Sequence, residues 1–227
     1  GKYLANRLCS EHEVTIIDNF YRKNNIELNN KVKTIEQDIT NDFEELISQN
    51  DIIYHLAAIS QVITSIKDPE LTYKVNIEAT KDIVAACAKH NKKLIFASSR
   101  EVYGTQTNLP VKLDAELNPE NPYAASKLAS EALIKSYGKS YNLSYNIVRM
   151  SNVYGKGDVE RVIPVFIDMF ENNQDVELYG SEKIIDFVHI HDIIDAFVKL
   201  KDKSGLTLNL GSGIKTTLVE LANLIKE

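Results

Sequence analysis

Cysteine is scarce: Cys9 and Cys87 are the only two in 227 residues. Two thiols cannot staple so long a chain, and their scarcity points to a reducing compartment, the cytoplasm. Long apolar runs are missing as well. None approaches the ~18 residues a membrane span requires, and the opening residues do not read as a secretory signal peptide. Positive charge is in deficit, with 26 Lys and Arg against 32 Asp and Glu. A net charge of −6 argues against a nucleic-acid partner, whose phosphates call for a basic face. Internal repeats and low-complexity linkers are absent. What remains is a composition 44% hydrophobic and 26% charged, ordinary for a soluble globular protein and unlike a disordered or collagen-like chain.

Short apolar runs alternate with helical periodicity along the chain. Strands are expected at Val14 to Asp18, Val32 to Glu36, Asp51 to Leu56, Lys93 to Ser98, and Leu143 to Met150. Helices are expected between them. Thr40 caps one carrying Phe43, Leu46 and Ile47, and Asp68-Pro69 opens one with Leu71, Val75, Ala79, Ile83 and Cys87 on a face. Asn121-Pro122 opens a third with Leu128, Leu133 and Ile134. This alternation predicts an α/β fold, a doubly wound parallel sheet covered on both faces. After Met150 the rhythm loosens. A helical stretch from Arg161 to Phe170 contains Pro164, short strands are expected near Val176 and Phe187, and a helix begins at His191-Asp192. A strand from Leu206 to Leu210 turns through Gly211-Ser212-Gly213 into a helix capped near Thr216. The expected division is residues 1–150 as a dinucleotide-binding domain and 151–227 as a partial, smaller substrate-binding region. The chain opens in a helix, Lys2 to Ser10, so a central strand is expected before Gly1 and further chain after Glu227.

Three features carry chemistry. Asp18 ends the first strand, where an acidic residue in a dinucleotide-binding unit accepts hydrogen bonds from the adenosine ribose. Its charge repels a 2′-phosphate and favours NAD over NADP, a preference that Arg22 softens. Tyr123 and Lys127 are four apart and share a helix face. An ammonium beside a phenol, whose ordinary pKa is near 10, favours the phenolate and brings it toward a working range. Tyr179 and Lys183 repeat the spacing, but only Tyr123 starts a helix after a strand ending in Ser98-Ser99. His189, His191 and Asp192 read as a strand end and a helix start rather than as metal ligands, and no metal is expected. Gly211-Ser212-Gly213 reads as a strand–turn–helix connection, and both cysteines as core residues.

Taken in order, these segments resemble the extended short-chain dehydrogenase/reductase family, specifically its NAD-dependent nucleotide-sugar epimerases and dehydratases of the UDP-glucose 4-epimerase type. Gly1 resembles the last glycine of that family's Gly-x-x-Gly-x-x-Gly loop. Asp18-Asn19 resembles the ribose-binding segment, Asp38-Ile39 the pair at the adenine, and His55-Leu56-Ala57-Ala58 the strand end against the cofactor. Asn76 resembles the family's helix asparagine. Ser98 to Gly104 is similar to the catalytic serine segment, with Ser99 at the active hydroxyl and Glu101 two residues on. Pro122 to Lys127 resembles the catalytic Tyr-x-x-x-Lys helix. Arg149 to Gly155 resembles the stretch whose asparagine, here Asn152, touches the substrate diphosphate, and Tyr179 falls where a nucleotide base is stacked. Ile185 departs from a usual arginine, and Arg161, before Val162, from a common asparagine; Arg161 is expected to supply the missing charge.

The resemblance implies an NAD-dependent nucleotide-sugar epimerase that inverts C4 of a UDP-hexose through a 4-keto intermediate. Tyr123 takes the 4-hydroxyl proton, Lys127 holds the nicotinamide ribose, and Ser99 polarises the carbonyl. Asn152, Arg161, Val162 and Tyr179 contact the nucleotide sugar. A 4,6-dehydratase or UDP-glucuronate decarboxylase is the alternative within the family, and a non-catalytic NAD-sensing relative the alternative outside enzymes. Relatives pair the helices over 69–90 and 122–141 as a four-helix bundle, so a homodimer is expected, with Leu71, Ile77, Ala132 and Tyr137 on the shared face.

Overall fold

The computed structural model describes every residue except 23, 24, 160, 179, 182 and 227. Its first half alternates as the apolar runs do: α1 (Lys2–Leu8), β1 (Val14–Asp18), β2 (Val32–Glu36), α2 (Glu44–Ser48), β3 (Ile52–His55), α3 (Val62–Lys67), α4 (Pro69–Tyr73), α5 (Ala79–Lys89) and β4 (Lys93–Ser99). Then come α6 (Pro122–Tyr141), β5 (Tyr145–Met150), β6 (Asn152–Tyr154), α7 (Val162–Glu171), β7 (Ile184–Ile185), β8 (Phe187–His189), α8 (Ile190–Lys199), β9 (Leu206–Leu210), β10 (Thr216–Thr217) and α9 (Leu218–Lys226).

Strands β3, β4, β5 and β9 form one sheet in that order, parallel throughout. Strand alternation sends β4 into two cores. Leu94 and Phe96 face Ile83, Val84, Cys87 and Ile134 of α5 and α6, and Ile95 and Ala97 face Leu4, Leu8, Ile193 and Phe197 of α1 and α8. Both faces are therefore covered, as a parallel sheet requires. Strand β1 pairs in parallel with β2 alone among the described residues. A second small parallel pair, β6 with β8, lies beyond the end of β5, and β7 pairs antiparallel with β10. Both cysteines are buried.

Several local expectations change. Thr40 caps no helix: its hydroxyl donates to Asp38, and Asp42 accepts from the Glu44 amide at the start of α2. The helix opened by Asp68-Pro69 is not one cylinder. A π-turn at Lys74–Glu78 inserts an extra residue per turn, so Thr72 and Asn76 are buried ahead of the expected Ala79, Ile83 and Cys87, while Val75 is half-buried and Leu71 is on the surface. The stretch around Val176 forms no strand. Helix α8 begins one residue early, capped by His189, whose Nδ1 accepts from the His191 amide. Tyr137 is half-buried against the α5–α6 core and is not a free surface group. Asp186 fills the Gly211-Ser212-Gly213 turn, its carboxylate accepting from the Ser212 amide and hydroxyl and the Gly213 amide.

Candidate active site

The carboxyl end of β4 and the first two turns of α6 meet at one place. Ser99 is the last residue of β4, and its hydroxyl accepts from the Glu101 amide at 3.2 Å, starting a 3-10 turn over Arg100–Tyr103. Gly104 ends that turn at φ 63°, a conformation suited to glycine. A side chain there would also run into the Asn118 carbonyl. Asn121 caps α6, accepting from the Ala124 amide at 2.9 Å, and Pro122 takes the first helical position.

These caps deliver Tyr123 and Lys127 to the end of β4. The Tyr123 amide donates to the Ser65 hydroxyl of α3 at 3.1 Å. Lys127 is only 3% exposed. Its ammonium donates to the Ala97 carbonyl at 2.9 Å and lies 4.6 Å from the Phe96 ring centroid. Burial drives its pKa down to about 7, against the opposing pull of Glu131. Tyr123 departs from the expectation that a neighbouring cation sets it low. Burial raises its pKa and dominates; a hydrogen bond from Ser99 and the charges of Arg161 and Arg100 pull downward, while Glu101 pushes further up.

Glu101 is not a free strand-end carboxylate. It lies 2.8 Å from the Arg100 guanidinium, and Asn121 Nδ2 donates to it at 3.3 Å.

A second group collects at the ends of β1, β2 and β3. One Asp18 oxygen accepts from the Phe20 amide at 2.8 Å. Asn19 Nδ2 donates to Asp38 at 2.7 Å, and Asp38 also accepts from the Thr40 amide and hydroxyl. Those bonds hold the Asp38 carboxyl below the usual range. Ile39 follows, half-buried, and Gly1 is the N-cap of α1. His55 is buried, with Nε2 2.7 Å from the Thr80 hydroxyl, and burial together with the nearby Lys127 charge drives its pKa to about 3. Leu56, Ala57 and Ala58 leave β3 half-buried. Asn76, in the π-turn, clamps the following loop by accepting from the Ile59 amide and donating to the Ile59 carbonyl. Two acidic residues at adjacent strand ends, with ring-free space-saving alanines beyond β3, fit a dinucleotide whose ribose hydroxyls need acceptors.

On the far side, Asn152 turns its side-chain amide to the Asp186 carbonyl at 3.3 Å. Arg161 caps no atom of α7 with its side chain but donates to the Val153 carbonyl at 2.9 Å, and its charge reaches Tyr123. Val162 begins α7. Ile185 is bound into the β7–β10 ladder opposite Thr216. Tyr179 lies outside the described residues. Among the described residues no cluster of three or more His, Cys, Asp or Glu is arranged to hold a metal ion, and no helix is long and apolar enough to cross a membrane.

The inner face of α6 was the least expected part. Ser126, Lys127, Ser130 and Glu131 are all buried where an apolar stripe is usual. Ser126 accepts from Asn76 and donates to the Tyr123 carbonyl, and Ser130 donates to the Asn76 carbonyl. The signal was present in the sequence, since Tyr123, Ser126, Lys127, Ser130, Glu131 and Ile134 recur at helical spacing.

Comparison with known proteins follows the same lines. The profile of the NAD dependent epimerase/dehydratase family matches residues 1–211. The chain is 33% identical over 238 residues to the putative UDP-glucose 4-epimerase of Methanocaldococcus jannaschii, covering 100% of this chain and 78% of that protein. It is also 33% identical over 245 residues to the UDP-N-acetyl-alpha-D-glucosaminuronate decarboxylase of Bacillus cytotoxicus, covering 100% and 76%. Among solved structures, the UDP-N-acetylglucosamine 4-epimerase of Methanobrevibacter ruminantium in complex with UDP-N-acetylmuramic acid superposes with a TM-score of 0.93 at 31% identity, covering 99% of this chain and 76% of that one.

Proposed function

Because this chain belongs to the NAD dependent epimerase/dehydratase family, we propose that it is a nucleotide-sugar epimerase inverting C4 of a UDP-hexose through a 4-keto intermediate. The observation that carries this reading is the meeting of Ser99, Tyr123 and Lys127 at the end of β4. The UDP-sugar epimerases among its relatives support the substrate class.

Bound NAD supplies the acceptor and later the donor of the C4 hydride. Asp18 and Asn19 would hold its adenosine ribose, Asp38 and Ile39 its adenine, and Gly1, Leu56, Ala57 and Ala58 would line its site. Lys127 would hold the nicotinamide ribose. The protein's own part is proton transfer. Tyr123 accepts the sugar 4-hydroxyl proton and returns it, Ser99 donates to the oxygen as it becomes a carbonyl, and Arg161 and Arg100 help a buried phenol to ionise. Asn152, Arg161, Val162 and Tyr179, in the 151–227 region, are assigned to the nucleotide sugar. Glu101 is reserved for the second reading, since a carboxylate whose charge is felt at Tyr123 could serve a decarboxylase or dehydratase.

The experiment is incubation of the protein with UDP-glucose and UDP-N-acetylglucosamine, with C4 stereochemistry read by NMR. Interconversion of the C4 epimers is expected, and Tyr123→Phe should abolish it while NAD binding persists. No epimer from any UDP-sugar would overturn the reading.

A homodimer in the cytoplasm completes it. The outer face of α6 and the π-turn before α5 leave an apolar concavity lined by Ile77, Ala129, Ala132, Leu133 and Ser136, suited to an isologous contact. Light scattering should give twice the chain mass, and Ala132→Glu should halve it.

A further inference from the structure

Helix α6 buries a carboxylate that the proposed chemistry leaves unused. Glu131, one turn after Lys127, is 0% exposed. Its Oε1 accepts from the Ser98 hydroxyl at 2.6 Å and from Arg149 Nε at 2.9 Å. Its Oε2 accepts from Arg149 Nη2 at 2.6 Å and Lys135 Nζ at 3.3 Å. Arg149 is itself 3% exposed. It donates onward to the Tyr103 hydroxyl at 2.7 Å, which donates to Asn209 at 2.7 Å.

The register explains the reach of this chain. Ser98, Arg149 and Asn209 lie abreast on β4, β5 and β9, and Tyr103 closes the turn that follows Ser99. The network therefore joins the helix bearing Tyr123 and Lys127 to the strand bearing Ser99. A buried ion pair is weak support for stability, because its desolvation can cost as much as the attraction returns. Its specific effect here is geometric and electrostatic.

We propose that Glu131 is a positioning residue for the Ser99–Tyr123–Lys127 group, locking α6 to the ends of β4 and β5 through Ser98 and Arg149 and holding a fixed negative charge behind the Lys127 ammonium. This rests on the reading that those three residues do the chemistry. The groups facing Lys127 are few. Tyr123 and Glu131 come from its own helix, the Ala97 carbonyl and Phe96 ring from β4, and neutral His55 from β3; Arg149 of β5 and Lys135 reach it only through Glu131. Removing the charge of Glu131 leaves burial unopposed, so Lys127 discharges at lower pH.

The test is Glu131→Gln, which keeps size and one acceptor oxygen but removes the charge and sets an amide donor where an oxygen accepted. The Lys127 titration is followed by NMR of side-chain-labelled lysine, with Lys127→Arg identifying the signal. Its midpoint should fall by about one pH unit, kcat should drop about tenfold or more with KM little changed, and the alkaline limb of the rate profile should move down by the same interval. A folded Glu131→Gln protein with the wild-type Lys127 midpoint overturns the proposal. If that variant does not fold, Ser98→Ala reads the same tie from the strand: reduced kcat at constant KM is expected, and wild-type kcat overturns it. Should wild-type protein convert no UDP-sugar, the functional reading fails, while the Lys127 titration still decides this one.

Discussion

The Lys127 ammonium donates to the Ala97 carbonyl at 2.9 Å, so the buried cation is anchored to the strand that ends, two residues later, in Ser99. With burial setting its pKa at about 7, Lys127 is charged below that pH and neutral above it. The value of kcat/KM, which reports the free enzyme, should therefore decline above about pH 7 as the ammonium is lost. Lys127→Met should remove this limb, lower turnover by about 10²–10⁴, and leave the Ala97 carbonyl without its donor. Urea unfolding should register about 1–3 kcal/mol for that unpaired group. A Met variant with wild-type rate would remove Lys127 from the mechanism.

The sheet was legible in the sequence because buried parallel strands are short β-branched runs. Val14 to Asp18, Val32 to Glu36 and Leu206 to Leu210 have the bounds observed, the strands expected over 51–56, 93–98 and 143–150 differ at their ends by one or two residues, and the one near Val176 is not formed. That Ser99, Tyr123 and Lys127 come together was legible, because a tyrosine and a lysine four apart at a helix start, after a strand ending in Ser98-Ser99, fall at one end of the sheet. The rest is governed by tertiary contacts. The π-turn around Asn76 depends on that side chain binding the Ile59 backbone, which no local propensity announces. Glu131 shares a helix face with Lys127 and Ile134, but the cation that satisfies its buried charge, Arg149, comes from a strand 18 residues away. The raised pKa of Tyr123 also follows from burial rather than from its spacing to Lys127.

Asp18 spends one oxygen on the Phe20 amide at 2.8 Å. Asparagine retains that acceptor, so Asp18→Asn tests charge with the turn preserved. Loss of the negative charge should narrow the preference for NAD over NADP by about tenfold, equivalent to ~1.4 kcal/mol. Paired titrations with the two cofactors measure it. An unchanged ratio would mean that Asp18 does not face the ribose.

His55 connects the site to acid stability. Its folded pKa, about 3, lies below the ordinary value near 6.5, so between those values the unfolded chain binds more protons. Stability contributed by neutral His55 is thus complete above pH 6.5 and is lost as pH falls toward 3. Down to about pH 5 most carboxylates are still ionised, and His55 dominates the slope, approaching ~1.4 kcal/mol per pH unit. His55→Gln, which can still bond the Thr80 hydroxyl, should flatten this dependence. Urea melts at pH 7.0, 6.0 and 5.0 provide the check; parallel slopes in the two proteins would count against a buried neutral histidine.

The choice between epimerisation and elimination turns on Arg100 and Glu101. A 4,6-dehydratase needs an acid beside the active hydroxyl to protonate the departing 6-hydroxyl, and a base to take the C5 proton. Here the position next to Ser99 holds a guanidinium, which keeps its proton throughout the accessible range and is a poor donor to a leaving group. The same guanidinium engages Glu101 at 2.8 Å, occupying the carboxylate that would serve as base. Removal and return of a hydride at C4 uses neither group. Wild-type protein given UDP-glucose or dTDP-glucose should therefore yield C4 epimers and no 4-keto-6-deoxy sugar. Arg100→Ala, which removes the ion pair from Glu101 and leaves it only the Asn121 hydrogen bond, adds no acid and should leave that product pattern intact. Mass spectrometry distinguishes the outcomes, because elimination removes one water and epimerisation changes no mass. A stable dehydrated product from the wild-type protein would reject the epimerase assignment, and carbon dioxide released from UDP-glucuronate would transfer it to the decarboxylases, with Glu101 as the group to mutate next.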